Sequence, residues 1–151
     1  MSRLSAYGTH VMLGNGWEGE IYRRHSVSPD EHCPTVLHVA SFALAPSRGD
    51  FGGGALASMS ARDIFVSLFE YASEDAGGAL FAREGPPWPF GGDDFSPSAL
   101  RVAIGNQSGL QRFFRIGGRP FCVYVVLGSH TLRHLLAGAV NDVLAGVEFD
   151  R

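Results

Sequence analysis

Apolar side chains recur two apart in several short runs of the chain and three or four apart in one longer run. Residues 35–44 place Val36, His38, Ala40, Phe42 and Leu44 on one side of an extended backbone and Leu37, Val39, Ser41 and Ala43 on the other. Both sides are largely apolar, which predicts a strand covered on two faces. Residues 64–71 form a second β-rich run. Residues 110–116 and 120–127 flank Gly117-Gly118 and predict a hairpin. Val11-Met12-Leu13 and residues 18–24 flank Gly14-Asn15-Gly16, whose tolerance of positive φ predicts an opening hairpin. Residues 100–104 are expected to add one more short strand. From about 129 to 148, Leu132, Leu135, Leu136, Ala139, Val140, Val143, Leu144 and Val147 recur at helical spacing, with Ser129 or Thr131 as cap. A shorter helix is expected over 73–81, weakened by Gly77-Gly78.

The segments between these runs are long. Residues 25–34 and 45–60 read as loops, and 83–97 carries Pro86-Pro87-Trp88-Pro89-Phe90, whose prolines lack the donor a central strand needs. The order of elements predicts a single α+β domain over 1–151. Its expected architecture is an antiparallel β-sheet of about six or seven strands sandwiched by helices, with a long C-terminal helix packed on the sheet.

Charge and composition narrow the chemistry. The 151 residues carry 12 basic and 15 acidic side chains, a net charge of −3, which argues against a phosphate backbone as partner. All basic residues are arginine, so P-loop, Schiff-base and Ser-Lys chemistries have no lysine to work with. The N-terminal residues show no apolar cleavage-type segment and no window suits a membrane span, so a soluble cytoplasmic protein is expected. Cys33 and Cys122 fit two free thiols, with a single disulfide as the alternative; Cys122, inside an apolar run, reads as a small core residue.

Candidate reactive groups are few. His130 and His134 stand four apart and, with His32 or with Asp30, Glu31 or Cys33, could ligate zinc; the helical phase instead turns both toward water beside Asn141. Gly105-Asn106-Gln107-Ser108-Gly109 misses the G-x-S-x-G elbow by one position, which argues against Ser108 as a nucleophile. Gly52-Gly53-Gly54 reads as a flexible loop, Asp93-Asp94 as a solvated pair, and His38 as a satisfied core or interface histidine.

The opening apolar strand leading to Gly16-Trp17, the run of antiparallel strands, the strand Arg119-Pro120-Phe121-Cys122-Val123-Tyr124-Val125 and the helical end over 140–149 together resemble the PsbP-like fold. The extrinsic photosystem II protein, a Ran-binding import factor and bacterial effector chaperones share that fold. The resemblance spans most of the chain as an order of elements and implies a non-catalytic binding protein; it transfers no catalytic residue. The stretch 16–24 also looks like one found in actinobacterial proteins.

The expected function is therefore a small protein-binding, adaptor or chaperone-like domain without a cofactor, working through loops 45–60 and 83–97. Trp88 and Phe90 would either plug the core or anchor a partner, with Phe51 from the first loop and a polar rim of Arg83, Asp93 and Asp94. A metal-dependent hydrolase at His130 and His134 and a self-associating structural subunit are the alternatives.

Overall fold

The structure, a computed structural model, describes residues 1–24, 33–46 and 48–151. The expectation that Asp30, Glu31 or His32 supplies a metal ligand lies outside the described residues. In chain order the regular elements are β1 (Ser2–Ala6), β2 (Thr9–Leu13), β3 (Glu18–Arg23), β4 (Thr35–Ala40), β5 (Ile64–Glu70), β6 (Ser108–Ile116), β7 (Arg119–Leu127), α1 (Arg133–Leu144) and β8 (Val147–Phe149). They build two antiparallel sheets, one of order β3-β4-β5-β7-β6 and one of order β1-β2-β8. The chain is α+β and dominated by its sheets.

The β6–β7 hairpin turns at Gly117-Gly118 as the sequence predicts, and β4 and β5 are buried along both faces. The opening hairpin differs. β2 pairs with β1 through a turn at Tyr7-Gly8, while β3 joins β4 in the other sheet, so Gly14-Asn15-Gly16 links two sheets instead of folding one hairpin. Residues 100–104 form no strand: the Arg101 N–H donates to the buried Tyr124 hydroxyl at 2.9 Å, away from any ladder.

The C-terminal helix is shorter than its apolar stripe. Ser129 Oγ accepts from the Leu132 N–H, and α1 then runs twelve residues before Ala145-Gly146. A Cβ on Gly146 would lie 2.9 Å from the Met12 carbonyl oxygen, so only glycine lets the chain come this close to β2. The Gly146 carbonyl accepts from the Met12 N–H at 3.1 Å, and residues 147–149 continue as a strand beside β2. Residues 73–81, expected as a short helix, form two 3-10 turns, Ser73–Gly77 and Ala79–Phe81.

The two faces of the large sheet are covered differently. On the inner face Leu37, Val39, Val66, Leu68, Val123 and Val125 pack with Leu136, Val140, Val143 and Leu144 of α1 and with Val11 and Leu13 of β2. On the outer face Ala40, Phe65, Tyr124 and Val126 pack under Leu56, Phe42, Phe51, Met59, Leu100 and Ile104, which come from the segments 41–59 and 100–104. Helix and small sheet cover one side; loops with a 3-10 turn, Gly53–Ser58, cover the other.

Arg119 ties the small sheet to the large one. Its guanidinium donates to the Glu70 carboxylate at 3.0 and 2.8 Å and to the carbonyls of Gly8 and Asp150 at 2.9 and 2.8 Å. A third carbonyl, that of Tyr7, accepts at 3.2 Å. No helix among the described residues is long and apolar enough to cross a membrane.

Candidate functional site

The loop 41–59 is held on the outer face by a buried polar network. His38, fully buried in the middle of β4, accepts from Arg48 Nε at Nδ1, 2.7 Å away, and its Nε2 lies 2.6 Å from the Asp50 carbonyl oxygen. Arginine can only donate, so the imidazole is neutral with its hydrogen on Nε2. Ser67, paired with His38 across β4 and β5, donates its hydroxyl to the same carbonyl at 2.6 Å. The Asp50 carboxylate accepts from the Tyr22 hydroxyl at 2.8 Å and pairs with Arg24. Arg48 extends to Glu20 at 2.9 Å. Burial lowers the His38 pKa to about 4, partly countered by the bond to Asp50 and aided by the Arg48 charge. Burial, and then the bond to Asp50, raises that of Tyr22. His38 is thus a neutral anchor for residues 48–50, out of reach of any substrate.

This anchoring delivers Phe51. Its ring stacks on Phe69, 5.6 Å between centroids, and meets Tyr124 edge-on at 5.7 Å. Gly52 follows at φ 90°, and a Cβ there would fall 2.8 Å from Cε2 of Phe65; the backbone lies flat on the sheet because no side chain intervenes. Above Phe51 the guanidinium of Arg101 sits 3.7 Å from the ring centroid. Together with Gly49, Gly53, Leu56, Val102 and Ile104 these two residues enclose a cavity of about 320 Å³. Its walls are mainly apolar, and Val102 at the cavity is 62% exposed.

A second hollow, of about 440 Å³, lies between β1 and β3 and is lined by Leu4, Leu13, Trp17, Leu44 and the charged residues Glu18, Glu20 and Arg48. Its charges are already engaged: Glu18 accepts from the Leu44 N–H at 2.9 Å and Glu20 pairs with Arg48. Arg101 has no carboxylate within ion-pair distance among the described residues.

The remaining sequence candidates are dispersed. Phe90 is buried in the inner core, and Trp88, half-buried, meets Phe114 edge-on at 5.5 Å and Phe149 at 6.3 Å. The loop that carries them is clamped by Asn141, whose side chain accepts from the Phe90 N–H and donates to the Phe90 carbonyl, both at 2.7 Å. Asn141 therefore binds the loop and does not stand in water, and Phe90 plugs the core instead of facing a partner. Phe51 packs on the opposite face of the sheet from Phe90 and Trp88. Arg83 is exposed and donates to the Pro86 carbonyl; Asp94 accepts from the Gly91 N–H at 2.8 Å and lies 3.6 Å from Arg112.

His130 precedes α1, so the four-residue helical spacing to His134 does not apply. Its Nδ1 is 2.8 Å from Ser108 Oγ, while exposed His134 lies 3.7 Å from Asp93. Among the described residues no three His, Cys, Asp or Glu side chains come together as a metal site. Ser108 is fully buried at the start of β6, where no substrate carbonyl reaches its oxygen. A further chain of groups escaped the sequence reading: Ser5 Oγ lies 2.9 Å from His10 Nδ1, and His10 Nε2 lies 3.0 Å from Asp150. Ser5 and Asp150 are solvated on the open face of the small sheet, where water screens the charge a buried acid would lend. These three side chains tie β1 to β2 and to the end of β8. Cys122 is buried with its thiol pKa pushed up by burial, and Cys33 is half-buried; both are free.

No family model matches the chain, and no curated protein or solved structure matches it.

Proposed function

We propose that the chain is a non-catalytic protein-binding domain whose outer loop layer receives an apolar side chain of a partner in the cavity beside Phe51. The observation that carries this reading is the cavity itself. It is apolar and rimmed by exposed Val102, and it is built by a loop that a network of six polar side chains, centred on buried His38 and Ser67, holds in place. Rigid placement of an apolar hole lowers the ordering cost of docking and suits an anchor residue. The resemblance to PsbP-like proteins, carried by the order of elements, points toward binding as well.

A selection of displayed random peptides against the immobilised chain tests the reading. Peptides with a recurring large apolar residue are expected, and Val102→Trp, which places an indole over the cavity, is expected to abolish their binding while leaving the thermal midpoint unchanged. Peptides that bind the Val102→Trp chain as well as the parent would overturn it.

A further inference from the structure

Resting on that reading, we infer that the partner segment carries an acidic side chain next to its apolar anchor, and that Arg101 holds the carboxylate. Six other arginines, Arg24, Arg48, Arg112, Arg115, Arg119 and Arg151, each have a carboxylate within 4 Å, whereas Arg101, like Arg3, Arg23, Arg62, Arg83 and Arg133, has none among the described residues, and of these Arg101 alone lines the cavity. Arg101 has an aromatic face instead. Its guanidinium lies 3.7 Å over Phe51 and 5.9 Å from the Tyr124 ring centroid. Asp50, the acid in the adjoining loop, is taken by Arg24 and Tyr22.

Stacking occupies the face of a guanidinium and leaves its edge, where the N–H donors lie in plane. A carboxylate is the group that accepts two such parallel bonds. Beside apolar walls the pairing is stronger than in open water, because fewer solvent dipoles screen it. Cavity size sets the apolar part: about 320 Å³ holds roughly ten heavy atoms at the ~30 Å³ a water molecule occupies. One large apolar side chain with a neighbouring carboxylate fits that volume, and the exposed mouth at Val102 lets the rest of the segment run on across the surface.

Octanoate and octanamide, equal in size and differing in charge, are suitable probes in a backbone-amide NMR titration of the whole chain. Octanoate is expected to shift the Phe51, Leu56, Arg101 and Ile104 signals and to bind about fivefold more tightly than octanamide. In Arg101→Gln the two probes are expected to bind alike, at the octanamide level. Peptides from the display selection that carry Asp or Glu beside the apolar anchor are expected to displace octanoate.

Equal affinity of the two probes in the parent chain would overturn the carboxylate inference while leaving the apolar anchor standing. Absence of shifts at Phe51, Leu56 and Ile104 with both probes would overturn the anchor reading as well. Octanoate binding that no acidic peptide displaces would overturn the peptide partner in favour of a free organic acid.

Discussion

The inner and outer faces of the five-stranded sheet start from similar strands and end in different kinds of cover. On the inner face α1 and the small sheet lay regular apolar surfaces against Val39, Val66 and Val125. On the outer face the cover is loop, and a loop must satisfy its own backbone; His38 and Ser67 donate to the Asp50 carbonyl and Tyr22 to the Asp50 carboxylate. The inner face is a packing solution. The outer face spends polar side chains on fixing a particular conformation of 48–52, and beside that conformation stands the cavity. Fixed irregular backbone over a rigid sheet is where binding sites concentrate.

The contrast is sharpest if each face is damaged separately. Phe114 is fully buried on the inner side, stacked on Phe121 at 5.4 Å between centroids and met by Trp88. Phe114→Ala is expected to cost about 3–5 kcal/mol, read from the urea midpoint, a large share of the roughly 5–15 kcal/mol that holds an ordinary domain folded.

The outer face responds to acid. His38 is neutral in the fold with its pKa lowered to about 4, against 6.5 for a free imidazole, burial being the main cause. Between these values the unfolded chain takes up a proton that the folded chain refuses. Stability is therefore full above pH 6.5 and falls as the pH drops toward 4, by about 3 kcal/mol from this group. Urea midpoints between pH 7 and 4.5 measure the slope; His38→Gln is expected to flatten it while lowering stability at pH 7.

Asn141→Ala leaves the Phe90 N–H and carbonyl without their clamp and is expected to cost about 2 kcal/mol, again read from denaturation, with hydrogen exchange rising first at 88–95. The smallest effect belongs to Arg101→Gln, expected within about 0.5 kcal/mol of the parent. A larger loss there would make Arg101 a structural prop and weaken its assignment to a ligand.

These sites also show what the sequence made legible. The β6–β7 hairpin announces itself because both strands alternate and the turn is Gly-Gly. The β1–β2 hairpin hides because its turn begins with Tyr7 at φ 53°, a conformation costing an L-residue roughly 1–2 kcal/mol. That turn is held by Arg119, 112 positions away in the chain. The apolar stripe over 132–147 is read correctly at Leu132, Leu136, Ala139, Val140, Val143, Leu144 and Val147, which pack in the inner core, and wrongly at Leu135 and in the length of the helix. Leu135 is exposed, and Val147 keeps the period although Gly146 has already turned the chain into a strand. Trp88 and Phe90 carry no local sign of their destination; Asn141 decides it from 51 residues away. Phe51 is legible as an aromatic in a glycine-rich loop. Its cavity is not, because the other wall comes from 101–104, where periodicity suggests a strand and the Tyr124 hydroxyl takes the Arg101 N–H instead.

One consequence of β8 concerns the order of assembly. β2 sits between β1 and β8, and its register with β8 runs from Thr9–Phe149 to Val11–Val147. A lone two-stranded ribbon is marginal in water, and this one gains its third strand only when a segment almost 140 residues downstream leaves the ribosome. The large sheet can close before then. The small one is completed last along the chain, and a chain cut short at residue 146 would lose its third strand.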